Sequence, residues 1–145
     1  MNGQATKSEL LAPCGMDCSS CSFYLAYIHG IPKKRGKISH CTGCRPRNKQ
    51  CAYLKGQCEL LAKNKVRFCF ECSKYPCERL SRFDARYRRT YGVSPIRNLE
   101  DIRDLGVFTF IRNQDARYSC ITCGGRLSIH NKKCFACDRI TCWKD

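Results

Sequence analysis

Five times in 145 residues two cysteines stand three positions apart: Cys18/Cys21, Cys41/Cys44, Cys69/Cys72, Cys120/Cys123 and Cys134/Cys137. Two thiolates at this spacing can grip one tetrahedral ion from a single tight turn. The chain has 15 cysteines, an odd count that a disulfide framework would leave with one thiol over, and such a framework would not need so many short pairs. Leu, Ile, Val and Phe make up 29 of the 145 residues, and so thin a core takes help from disulfides or metal. The opening MNGQATKSELLAPCG lacks a basic stretch followed by an apolar one, so no secretory signal is expected. The longest apolar runs, such as residues 23–28, are far too short to span a membrane. The expected location is cytoplasmic, where thiols stay reduced and open to metal.

The expected fold is a small, metal-stabilised α+β protein, with short helices around Cys-ligated metal knuckles and a C-terminal zinc ribbon. Three regions follow from motif content: a cysteine-rich metal-binding domain at 10–77, a helical linker at 78–117 and the ribbon at 118–145. In the first, residues 22–28 open on Ser22, a good N-cap type, and continue apolar. Residues 58–65 read as a second short helix. In the second, Pro76 suits the start of a helix, and Leu80, Phe83, Tyr87 and Tyr91 fall on one helical face. Arg79, Arg82, Arg86, Arg88 and Arg89 lie largely off it. Gly92 and Pro95 should end this helix. Asn98 should cap a short helix through Leu105, and residues 107–117 should form another, with Phe110, Ile111 and Tyr118 inward. In the third, Gly124 and Gly125 suit a knuckle turn, and 126–130 alternate like a strand, with Asn131 and Lys132 as its turn. The run CFECSKYPC (69–77) is echoed by CFACDRITC (134–142).

The strongest chemical signal is Cys120, Cys123, Cys134 and Cys137: two short pairs separated by ten residues. Four soft thiolates are what a closed structural zinc site needs. Cys142 is spare in this assignment. The N-terminal candidates are Cys14, Cys18, Cys21, Cys41, Cys44, Cys51, Cys58, Cys69, Cys72 and Cys77, two tetrahedral sites with two thiols over. Cys41, Cys44, Cys51 and Cys58 could form one local site; alternatively Cys41/Cys44 could join Cys69/Cys72. About three zinc ions are expected in all. An iron–sulfur cluster, which also takes four cysteines, is the alternative for the N-terminal region. The Cys14-x3-Cys18-x2-Cys21 spacing is also used for clusters that bind S-adenosylmethionine. Ser20 stands where such enzymes carry an aromatic residue, and the chain is too short for their barrel. His29, His40 and His130 are read as ordinary exposed histidines, His40 being the best substitute ligand.

The formal charge of +15 overstates the basicity. Three sites of four thiolates and one divalent ion would each carry −2, taking +15 to about +9. No acidic residue lies between Asp17 and Glu59, where Lys33, Lys34, Arg35, Lys37, Arg45, Arg47, Lys49 and Lys55 are found. Tyr24, Tyr27 and Tyr53 are interleaved and could stack on bases. This pattern points to RNA or an acidic protein surface as partner, and to no membrane. No Ser-His-Asp ordering, phosphate loop or paired carboxylates suggest catalysis, so no catalytic residue is expected.

The run LAPCGMDCSSCSFYLA, followed by CTGC, Cys51, Cys58 and FCFECSKYPCERL, resembles a cysteine-rich prokaryotic family, domain of unknown function 3795. Its members show a C-G-x-x-C-x-x-C opening and a C-x-x-C-x-x-[FY]-P-C-x-x-L close. The resemblance covers about residues 10–81. It implies metal binding at the ten N-terminal cysteines and implies no particular activity. The downstream ribbon looks like an extension found in longer members.

Overall fold

The computed structural model describes residues 7–31, 40–42, 65–130, 134, 136 and 137. These residues are mostly helical. Their β structure is confined to three antiparallel bridges, Leu11 to Asp17, Ser119 to Arg126 and Leu127 to Cys134. No helix among them is long and apolar enough to cross a membrane. The helix expected at 58–65, the turn at Asn131 and Lys132, and most of the basic 33–55 stretch lie outside the described residues.

Helix α1, Ser22–Ile28, has the span its apolar run predicts, but Ser22 is its first residue rather than its cap. That place is taken by Cys21. Helix α2, Glu78–Tyr91, follows Cys77, whose sulfur accepts from Leu80 N–H at 3.5 Å. Leu80 and Phe83 are buried, and the rings of Phe83, Tyr87 and Tyr91 continue the same face at 4.6 and 4.9 Å between centroids. Gly92 ends α2 in the left-handed region, φ 72°, which glycine adopts without a Cβ clash.

Helix α3 is Pro95–Leu105, starting earlier than expected. Asn98 does not cap it. Ser94 does, its side chain accepting from Arg97 N–H at 3.0 Å. Pro95 is the first helical residue rather than a stop: its fixed φ suits that position, where its missing N–H would have no partner. Asp84 reaches across from α2 to the same end. One carboxylate oxygen accepts from Ser94 Oγ at 2.6 Å and Ile96 N–H at 2.9 Å, the other from Arg88 at 2.7 Å. Burial alone would raise this carboxyl, but those donors hold it below the ordinary value. Helix α4, Val107–Arg117, follows after Gly106. Phe110 and Tyr118 are buried as expected, and Ile111 is half-buried.

Leu11, Cys14, Leu80, Leu99, Phe110 and Ile129 belong to one buried cluster. The segment carrying the first cysteines is therefore packed against α2, α3 and α4. Gly15 shows how tightly: its φ is 95°, and a Cβ there would lie 2.3 Å from Pro95 O. Asn98 Nδ2 donates to Gly15 O at 2.9 Å, which explains its burial within α3.

The alternation at 126–130 does not make a strand. Only Arg126 and Leu127 form bridges, and 129–130 turn away. Ile129 N–H donates instead to Ser20 O at 2.9 Å, and His130 N–H closes on Ser128 Oγ at 3.1 Å. His130 is accordingly not an exposed histidine. Its Nδ1 accepts from Ser22 N–H at 3.2 Å, and its ring packs on Phe23, Tyr87 and Tyr91. Tyr24 is buried, which removes it as a stacking platform for bases.

Candidate metal centre

The C-terminal quartet is built by two turns. From Cys120 the chain doubles back through Cys123, with Gly124 N–H donating to Cys120 O at 2.8 Å and Cys120 N–H to Gly125 O at 2.7 Å. Gly124 has φ 79°, and Gly125 leaves room for sulfur: a Cβ there would sit 2.9 Å from Cys134 Sγ and 3.3 Å from Cys123 Sγ. The bridge between Leu127 and Cys134 then returns the second pair to the first.

The four Sγ atoms all lie within 4.8 Å of one another. Cys120 and Cys137 sulfurs are 3.7 Å apart, and those of Cys123 and Cys134 3.5 Å. Four sulfurs bound at about 2.3 Å in a tetrahedron stand roughly 3.8 Å apart. The donor set and its spacing thus fit a tetrahedral thiolate-bound metal ion.

The surroundings favour thiolate at Cys120. Thr122 N–H points at Cys120 Sγ and Gly125 N–H at Cys123 Sγ, each at 3.4 Å. The amides of Cys123 and Thr122 pull the Cys120 thiol down to about 6. Its neighbours feel the opposite force. The sulfurs of Cys120, Cys123 and Cys134 push the Cys137 thiol up to about 12. At Cys123 the Gly125 amide works downward, but the Cys134 sulfur and burial leave the thiol raised. Four like charges cannot gather here without a cation among them.

Among the described residues no other three Cys, His, Asp or Glu donors converge so closely. Of the N-terminal candidates, Cys14 and Cys18 are buried, and Cys21, Cys41, Cys69, Cys72 and Cys77 are half-buried. Cys44, Cys51 and Cys58 lie outside the described residues. The pairs Cys18/Cys21 and Cys69/Cys72 share one local structure. Each follows an extended residue, makes a 3-10 turn (Cys18–Ser20 and Cys69–Glu71), and ends on an extended cysteine. Cys69 N–H donates to Pro13 O at 2.9 Å, which brings the second turn beside Cys14. Cys41 N–H donates to Phe23 O at 3.2 Å, which brings it to the start of α1. Burial, then the Cys18 thiol, pushes Cys21 up to about 12 against the Tyr24 and Phe23 amides, with Cys41 adding to the rise. Lys74 N–H donates to Cys72 Sγ at 3.4 Å, the contact Gly125 makes with Cys123. His40 Nε2 lies 2.6 Å from Ile31 O, and His130 is taken up by packing.

Sequence reasoning missed the residue that joins the two ends. Arg126, paired by a bridge to Ser119, reaches Asp17 Oδ2 at 2.8 Å, Asp115 Oδ1 at 2.5 Å and Ser20 Oγ at 2.7 Å. Asp17 also caps the Cys18–Ser20 turn through Ser19 N–H at 3.0 Å. One guanidinium thus ties the turn of the C-terminal cysteine quartet to the first short cysteine pair. Nothing local marks this arginine as a link between the ends, since its buried partner Asp17 is 109 positions away.

A search among curated proteins and another among solved structures returned no match. The family model for "protein of unknown function (DUF3795)" matches residues 10–82, half of the chain. Cys14-Gly15 and the Cys69/Cys72/Cys77 run fall within that match, and with it the chain belongs to this family.

Proposed function

We propose that this is a zinc-binding protein whose metal is structural and whose surface serves as a binding module for a polyanion, RNA or an acidic protein surface. The observation that carries the first part is the convergence of Cys120, Cys123, Cys134 and Cys137 within 4.8 Å. Four protein donors complete a tetrahedron and leave no position for water or substrate, which is the design of a structural rather than a catalytic site. Such sites contribute on the order of 10–16 kcal/mol in apparent terms at neutral pH, more than the net stability of most small domains.

In this reading the chain is an α+β protein of three parts, a cysteine-rich domain at 10–77, a helical linker at 78–117 and a zinc ribbon at 118–145. The N-terminal cysteines hold the remaining ions, about three per chain in all. The matched turns at Cys18/Cys21 and Cys69/Cys72 support this, as does the amide aimed at Cys72. The protein works in the reducing cytoplasm, where those thiols persist.

Metal content and a visible spectrum of protein purified without oxygen test the reading. About three zinc ions per chain and no colour are expected. Iron with matching sulfide and a brown colour would replace it with an iron–sulfur protein.

A further inference from the structure

Helix α2 carries arginine along its solvent side at helical spacing. Arg82, Arg86 and Arg89 are exposed, three and four positions apart, with Arg79 one step before them. A rise of about 1.5 Å per residue spreads this row over roughly 15 Å. Arg82, Arg86 and Arg89 line an open recess of about 410 Å³ floored by Phe83 and Ala85. Among the described residues neither Arg86 nor Arg89 has an ion pair. Of the two acids on α2, Asp84 is buried and bound to Arg88. Glu78, at the helix start, meets Arg82 at 3.0 Å with both side chains exposed, a pairing worth little in water. The opposite face of α2 is locked in the core by Leu80, Phe83 is buried between that face and the recess, and α3 packs beside the helix.

We propose that this arginine row is a docking surface for the phosphate backbone of single-stranded or looped RNA. The reading rests on the binding-module function proposed above and names its surface and partner. Charge complementarity selects a polyanion: the formal charge of +15 stays at about +9 with three thiolate-bound ions in place, and a row of guanidinium groups suits phosphate oxygens. The packing of α2 selects a flexible strand. With one face of α2 in the core, the charges the helix offers form a single row of roughly 15 Å. A single strand can follow a row of charges on such a surface, and unpaired segments are what proteins bind most often in RNA.

The test uses the full-length protein and a fluorescein-labelled oligouridine, read by anisotropy from about 50 to 200 mM salt. Each arginine that contacts a phosphate contributes about 0.7 to the slope of log affinity against log salt for a single strand. The triple variant Arg82→Ala, Arg86→Ala, Arg89→Ala should lower that slope by about 2 and weaken binding about tenfold or more at the low-salt end. The corresponding triple lysine variant should keep most of the affinity, and Arg103→Ala with Arg112→Ala should leave the slope unchanged. Failure of the wild-type protein to bind at low salt would overturn the proposal, as would an unchanged slope in the triple alanine variant. Equal competition by polyglutamate would overturn it in favour of an acidic protein partner, and equal competition by duplex DNA would overturn the choice of a single strand. Metal content measured on every variant separates this outcome from the other: RNA binding can fail with the metal intact, and the structural-zinc reading can fail with RNA still bound.

Discussion

The smallest feature with a measurable consequence is the missing Cβ at Gly125. A methyl group there would meet Cys134 Sγ and Ala136 Cβ at 2.9 Å, in a turn held by the Gly125 N–H itself. Overpacking of this kind costs about 1–3 kcal/mol, so Gly125→Ala should weaken metal capture about 5- to 150-fold in competition with a chromophoric chelator. Gly124→Ala acts differently. It meets nothing within 4 Å but forces φ 79° on an alanine, at about 1–2 kcal/mol of backbone energy. The thiols make a second prediction. Cys120, pulled down to about 6, is a thiolate at neutral pH, whereas Cys123 and Cys137 are raised and keep their protons until an ion displaces them. Affinity should therefore rise with pH through the neutral range and fall further once pH drops below about 6. Chelator competition across a pH series reads this directly, and a pH-independent affinity would contradict the thiolate assignment.

At the scale of elements, Asp84 decides how α2 meets α3. It accepts three hydrogen bonds, two of them from the start of the neighbouring helix. Hydrogen bonds to a charged group contribute about 1.5–3 kcal/mol, and Asp84→Ala should destabilise the protein by at least that much in a denaturant titration. Because its donors hold the folded carboxyl below the ordinary aspartate range, the contribution is present in full above the unfolded value. It is lost as pH falls through the lower, folded one. Asp84→Asn should flatten that acid limb. Much at this scale is legible in the chain itself. The face set by Leu80, Phe83, Tyr87 and Tyr91 and the stop at Gly92 place α2 from periodicity alone, and the spacing of Cys120, Cys123, Cys134 and Cys137 picks out the four cysteines that converge. The misreadings have two physical origins. Pro95 reads as a breaker until Ser94, its neighbour, is seen to cap the helix with Asp84 beside it. Leu127 and Ile129 read as strand alternation, yet the first is bridged to Cys134 and the second binds Ser20, a distant partner that overrides the local pattern.

For the whole molecule the decisive contacts run end to end. Arg126 on Asp17 and Ser20, Ile129 on Ser20 and His130 on Ser22 fasten the C-terminal turn to the first cysteine pair. Cys123→Ser should release one metal ion and loosen the C-terminal module. It should also speed hydrogen exchange at the Ser22 amide, which His130 holds from 108 residues away; mass spectrometry of exchange reads both ends together. Arg126→Met should cost about 3–5 kcal/mol, since it strips the counter-charge from buried Asp17. The same contacts govern the order of events on the ribosome. Chains grow at about 5–20 residues per second, so Ser22 emerges about 5–20 s before the histidine that will cover it. For that interval the Cys18–Cys21 turn is without the contacts that Arg126, Ile129 and His130 bring to it, so it gains its last fastening only after residue 130 has followed.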